Sequence, residues 1–218
     1  MKDVETRWTG AELEALLVVG RSKKYPRGAV LFGEGEEASD VIVVQSGRVK
    51  VSSYSSDGKE IVLAIRGPGE VLGELSAIDG QPRSATAIAL EPVEAALVGA
   101  EDFRGFVRAR PVVALRLLEI VSGRLRDADR KRVEFGAYDT TARVARRLVE
   151  MAERFGEDHD GAVRITLPLS QQELAGWTGS SREAVSKALQ QLRARGFIET
   201  ARRGITVCDI DGLRKRAT

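Results

Sequence analysis

At Arg110 the hydrophobic pattern of this chain changes period, and that break constrains its fold more than any other feature. Before it, from Tyr25 to Val98, apolar residues come in short stretches: "GAVLF", "DVIVVQSG", "RVKVSSYSSDG", "KEIVLAIRGPG" and "VEAALV". Glycine turns separate them about every 8–12 residues, and Val49-Lys50-Val51-Ser52 alternates. Such spacing predicts a small antiparallel sandwich or roll. After the break, "RPVVALRLLEIVSGRLRDADRKRVEFGAY" puts proline at a helix start and continues as one long helical run. Leu118, Val121, Leu125, Ala128 and Phe135 recur in three- and four-residue steps, with Arg132 in the remaining position. That seam of about three heptads predicts pairing with a second helix, packing on the chain's own domain being the alternative. Gly123 weakens such a helix by ~1 kcal/mol relative to alanine, so it implies a packing reason or a bend.

"TTARVARRLVEMAERFG" follows as an amphipathic helix ending at Gly156, then a loop Glu157–Gly161 and a short strand in "AVRITLPLS". The reading is an α+β chain with its boundary near Phe135–Asp139. It comprises a jelly-roll-like β-roll (1–109), a long dimerisation helix with hinge (110–138), and a C-terminal domain (139–218).

The sharpest local signal lies in that last domain, in "SQQELAGWTGSSREAVSKALQQLRARGFIET". Ser170 with Glu173, and Ser180 with Glu183, are two capping boxes ten residues apart. They predict a short helix from Gln171 to about Trp177, a turn through Gly179, and a second helix from Ser181, which is helix-turn-helix geometry. Val185, Leu189 and Leu192 would be buried. Glu183, Ser186, Lys187 and Gln190 share the opposite face, with Arg182 at its edge. Arginine, lysine and glutamate near the start of such a helix suit guanine and cytosine edges in a major groove. "GFIETARRGITVCDI" then reads as strand, Arg202-Arg203-Gly204 tip, strand, a winged extension. Residues 169–218 carry nine Lys+Arg against five Asp+Glu, while the remainder carries 25 against 27. That asymmetry favours a polyanionic partner.

Scarcity of other groups excludes much. One cysteine, Cys208, cannot form an internal disulfide or a Cys-ligated zinc or iron–sulfur site. The one histidine, His159, sits in the solvated "GEDHDG", and no nucleophile–base pair supports an enzyme. No apolar run approaches the ~20 residues of a membrane span. The N-terminus lacks the features of a signal peptide, which predicts a cytoplasmic protein with no membrane partner.

With both halves in view, the chain resembles the cyclic-AMP receptor protein/FNR family of bacterial transcription regulators. The likeness runs from Tyr25 to Asp209 through Gly28, Gly35, Gly47, Gly58 and Gly69, the cassette "GELSAIDGQPRSATA", the long helix and "SREAVSKAL". It implies a homodimer gated by a cyclic nucleotide, with no tightly bound cofactor. Glu74 would accept from the ribose 2′-hydroxyl. Gly73 and Leu75, with Ser76, would bring backbone close to the ligand. Arg83 would pair with the cyclic phosphate, Ser84 and the Ala85 amide completing the cradle. Arg124, Ala128 and Asp129 would meet the ligand from the long helix. The alternative for Glu74 and Arg83 is a structural ion pair within the roll. Where the family usually has Thr and Ser, this chain has Ala128 and Asp129. Alanine cannot bond the adenine amino group, and a carboxylate also suits guanine. The resemblance makes cyclic AMP the leading effector, and Asp129 makes cyclic GMP the second. Iron–sulfur and haem sensing are excluded by the missing cysteines and by the lack of histidine before His159.

For DNA, the resemblance implies that Arg182, Glu183 and Lys187 read a half-site similar to TGTGA in an inverted repeat. Ala184 replaces a more usual threonine. Ser181, Gln171 and the wing arginines Arg202 and Arg203 would touch phosphate. Glu157–Gly161 lies where activators of the family meet RNA polymerase. Two rivals remain: a cyclic-nucleotide module acting through protein partners, and a DNA-binding regulator whose pocket is silent.

Overall fold

Two four-stranded sheets form from the glycine-punctuated segment. The structure, a computed structural model, describes residue 8 and residues 10–201 and 204–218. Its first part runs α1 (Gly10–Val19), β1 (Arg21–Tyr25), β2 (Val30–Phe32), β3 (Asp40–Ser46), β4 (Val49–Tyr54), β5 (Glu60–Arg66), β6 (Val71–Leu72), α2 (Glu74–Asp79), β7 (Thr86–Ala89), β8 (Val93–Gly99) and α3 (Ala100–Arg108). One sheet has the order β1-β8-β3-β6 and the other β2-β7-β4-β5. Ile42, Val44 and Ala95 of the first sheet pack against Phe32, Val49 and Ala87 of the second, which is the roll's interior. The other face of the first sheet, through Val41, Val43, Ala96 and Val98, is covered by Leu16, Phe103 and Phe106. A strand buried on both faces loses its alternation, which explains the unbroken apolar "VIVV" of β3. Gly47 shows why one of the turns demands glycine. Its φ is +78°, and a Cβ there would collide with Pro92 O.

α4 (Pro111–Ala137) begins on proline and runs unbroken through Gly123. Val113, Leu117 and Ile120 are buried against the first sheet's helical cover. Of the heptad seam, Val121 packs partly on that same cluster, whereas Leu118 and Leu125 are 62% and 63% exposed. The chain forms two compact units, one of residues 1–53 and 63–129, the other of 54–62 and 130–218. The divisions fall inside β4, β5 and α4.

The second unit continues with α5 (Thr140–Phe155), β9 (Gly156–His159), β10 (Ala162–Ile165), α6 (Gln171–Thr178), α7 (Arg182–Ala194), β11 (Ile198–Ala201), β12 (Gly204–Val207) and α8 (Ile210–Arg216). Its sheet has the order β11-β12-β10-β9. The end of α4 is built into this unit. Phe135 takes its place at the turn, where a Cβ on Gly179 would strike its ring, and the Arg143 guanidinium lies 5.8 Å from the ring centroid. The buried Glu134 accepts from Arg146 at 3.0 Å and Arg147 at 2.7 Å.

Two expectations are corrected here. Glu157–Gly161 is not a loop: β9 pairs with β10, and only Asp160-Gly161 turns, both at positive φ (53° and 82°). Asp-Gly is the residue pair a two-residue hairpin selects, because both positions need left-handed backbone. Ser180 is not a helix cap. The N-cap of α7 is Ser181, whose side chain accepts from Ala184 N at 3.1 Å. The Ser180 hydroxyl instead accepts from Arg143 Nη2 at 3.1 Å and donates to Thr178 O at 3.2 Å. Ser170 and Glu173 do form a reciprocal capping box.

Candidate functional site: an effector cassette and a helix-turn-helix surface

The effector cassette assembles at the start of α2. Gly73 is its N-cap with φ +78°, and a Cβ there would collide with the Arg83 guanidinium. The close approach that glycine permits is thus made by Arg83, whose Nη1 donates to Gly73 O at 2.9 Å. Arg83 is 4% exposed and also reaches Asp40. Glu74 is 2% exposed, and its carboxylate accepts from Arg124 Nη1. Arg124 Nη2 donates to Val71 O at 2.7 Å, clamping α4 to the strand that leads into α2. The alternative of a Glu74–Arg83 ion pair is therefore corrected: each finds another partner, Glu74 on α4 and Arg83 on β3. Ser76 is buried and donates to Pro82 O at 3.2 Å, closing the segment between the two charged residues. Leu75 and Ser84 are exposed and Ala85 is buried.

Gly73, Glu74, Arg83 and Arg124 therefore meet, while Ala128 and Asp129 lie exposed further along α4. The Nε atoms of Arg83 and Arg124 are buried without a hydrogen-bond partner. Two orphaned cationic donors, one of them on the guanidinium that holds the buried Glu74 carboxylate, suit a ligand that brings anionic oxygens and a hydroxyl together. Sequence reading missed Asp40 and its role as the Arg83 partner. No periodicity links residues 43 apart in the chain.

In the second unit, Gln171, Arg182, Glu183, Ser186, Lys187 and Gln190 line one open concavity of about 560 Å³. Two caps aim these side chains. Ser170 sets the direction of α6 and Ser181 that of α7, while Val185, Ala188, Leu189 and Leu192 bury the opposite face of α7. Ser181 spends its oxygen on the cap, which leaves its O–H as a donor. Ser181→Ala should lower stability by about 1 kcal/mol, while Ser180→Ala leaves α7 capped; urea denaturation of both variants checks this. The backbone N–H of Glu183, then the Ser181 hydroxyl, hold the Glu183 carboxyl below the usual carboxylate range. It therefore stays an acceptor beside Arg182. Arg202 and Arg203 lie outside the described residues, but the strands that lead to and from them, β11 and β12, pair antiparallel from Ile198↔Val207 to Ala201↔Gly204.

Among the described residues no helix is long and apolar enough to cross a membrane. An effector roll carried on a long helix that enters a winged helix-turn-helix defines a ligand-responsive DNA-binding protein. Residues 22–110 match the model of the cyclic nucleotide-binding domain, and residues 142–216 that of the Crp-like helix-turn-helix domain. The chain is 35% identical over 193 residues to a CRP-like cAMP-activated global transcriptional regulator of Mycobacterium tuberculosis, covering 88% of this chain and 86% of that one. It is 31% identical over 187 residues to the cyclic AMP receptor protein of Thermus thermophilus, covering 86% and 83%. FixK2 from Bradyrhizobium japonicum has a similar structure, with a TM-score of 0.82 and 27% identity over 92% of this chain and 98% of that one. The chain belongs to the cyclic-AMP receptor protein/FNR family: it is a cyclic-nucleotide-responsive, DNA-binding transcription regulator and not an enzyme.

Proposed function

We propose that the chain acts in the cytoplasm as a homodimer paired through α4, with cyclic AMP as effector and cyclic GMP as the second candidate. The observation that carries the ligand is the buried Arg83, whose Nε lacks a hydrogen-bond partner. In this reading Glu74 accepts from the ribose 2′-hydroxyl. Arg83 takes the cyclic phosphate, aided by Ser84 and the Ala85 amide. Gly73, Leu75 and Ser76 shape the wall, and Ala128 and Asp129 meet the base. The exposed Leu118 and Leu125 support pairing of α4 with a second copy, since apolar side chains at heptad spacing gain most from a matching seam.

Each α7 then reads a half-site similar to TGTGA in an inverted repeat through Arg182, Glu183 and Lys187. Gln171, Ser181, Ser186 and the wing arginines hold phosphate or flank the bases. Nucleotide binding biases the spacing of the two α7 helices against the ~34 Å between successive major grooves. A coupling of ~1–3 kcal/mol is typical of such linkage. The Asp160-Gly161 hairpin offers Asp158 and His159 to RNA polymerase. Arg182→Ala should cost about 1–3 kcal/mol of DNA affinity and relax the preference at one base pair; competition between duplexes substituted at each half-site position measures both.

The test is calorimetric titration of the purified protein with cyclic AMP and cyclic GMP, with and without a TGTGA-N6-TCACA duplex. Tighter nucleotide binding in the presence of DNA supports gating, and the preferred base identifies what Asp129 reads. A second reading, a regulator with a silent pocket, draws on the internal pairing of Glu74 with Arg124 and of Arg83 with Asp40. Normal DNA binding with no heat from either nucleotide would select it.

A further inference from the structure

The Arg83 guanidinium is already occupied by groups of its own chain. Its backbone is fixed, N donating to Glu36 O and O accepting from Gly35 N, both at 2.8 Å. Its side chain is 3% exposed, and its Nη1 is taken by Gly73 O. Nη2 donates twice to one residue, to Asp40 O at 2.6 Å and to Asp40 Oδ1 at 3.0 Å. The Phe32 ring covers the guanidinium at 4.5 Å. Nε, which shares an edge of the fork with Nη2, is buried and has no partner. The edge able to hold two oxygens of one anion is therefore half empty, and Asp40 holds the other half.

We propose that Asp40 is an internal competitor for the ligand's phosphate. Its carboxylate neutralises Arg83 in the unliganded pocket and sets how much cyclic nucleotide is needed to displace it. The inference rests on the reading of the cassette as a cyclic-nucleotide site. A buried guanidinium without a counter-ion is costly, so something must stand there before the ligand arrives. Asp40 is suited to leave. Its side chain is 24% exposed, so the displaced carboxylate has water to turn to, while its backbone stays in the β3 ladder opposite Gly99. A phosphate can serve Nε and Nη2 together, whereas the carboxylate leaves Nε orphaned. The ligand gains that difference, and its apparent affinity is reduced by the fraction of molecules in which Asp40 holds the site.

Asp40→Asn tests this, because the amide keeps the size and one accepting oxygen while removing the charge. The intact protein and the variant are titrated with cyclic AMP and with cyclic GMP, and each is melted with and without nucleotide. The variant should bind the preferred nucleotide about tenfold more tightly, with a wider gap between liganded and unliganded melting temperatures. Binding by the variant alone, with the parent silent, supports the same conclusion. Equal or weaker binding by the variant overturns the competitor role and leaves the pocket reading intact, since both proteins still bind. If neither protein takes up either nucleotide, the pocket reading falls and the competitor with it. Asp40→Ser, read against the same outcomes, replaces the first variant if that one does not fold.

Discussion

Arg83→Ala lowers cyclic-nucleotide affinity by at least roughly 100-fold, equivalent to about 3 kcal/mol, because it removes one partner of a desolvated charge pair. The loss should be the same for cyclic AMP and cyclic GMP, since the phosphate is common to both. The fold should survive. Asp40, which loses its cation, is 24% exposed and can be rehydrated, and the roll's interior is built from Ile42, Val44, Val49 and Ala87 rather than from this pair. Calorimetric titration gives the affinity and a melting curve gives the stability. Affinity within about threefold of the parent's would show that Arg83 does not hold the phosphate.

Glu134→Gln is the change with the largest expected effect on the second unit. The carboxylate is buried between two guanidiniums, and Arg147 is 6% exposed along its side chain. Neutralising Glu134 leaves Arg147 with Glu150 at 2.6 Å and the Trp177 ring 5.7 Å away. Breaking a buried pair from one side costs about 3 kcal/mol, which in a chain of this size lowers the melting temperature by roughly 6–12 °C. The second substitution Arg147→Met should recover part of that loss, because it removes a buried guanidinium that has lost one of its two carboxylates. A double-mutant cycle measured by calorimetric melting isolates the pair. Additive effects of the two substitutions would show that the pair is not coupled.

Much of the fold was readable because its determinants are short-range. Proline opens α4, a serine and a glutamate three residues apart cap α6, and glycine turns divide the strands. Asp160-Gly161 carries the same kind of signal for a hairpin, although its acidic, glycine-flanked surroundings equally fit a solvated loop. The cap of α7 shows the limit of local reading. On sequence alone Ser180, with Glu183 three residues on, is the better cap. Arg143, 37 residues away, decides for Ser181 by occupying the Ser180 hydroxyl.

The effector cassette divides the same way. Its residue types, a glutamate and an arginine nine positions apart among glycine and alanine, were legible as a group, and so was the surface of α7. Their partners were not. Glu74 turns to Arg124, 50 residues on, and Arg83 to Asp40, 43 residues back. By itself the sequence determined the strand-and-helix order, the turns and the chemical character of each surface, because period, capping and backbone preference act over a few residues. Only the tertiary structure decided which charge faces which. Ion pairs form where distant strands and helices are brought within about 3 Å, and nothing local to either residue encodes that meeting.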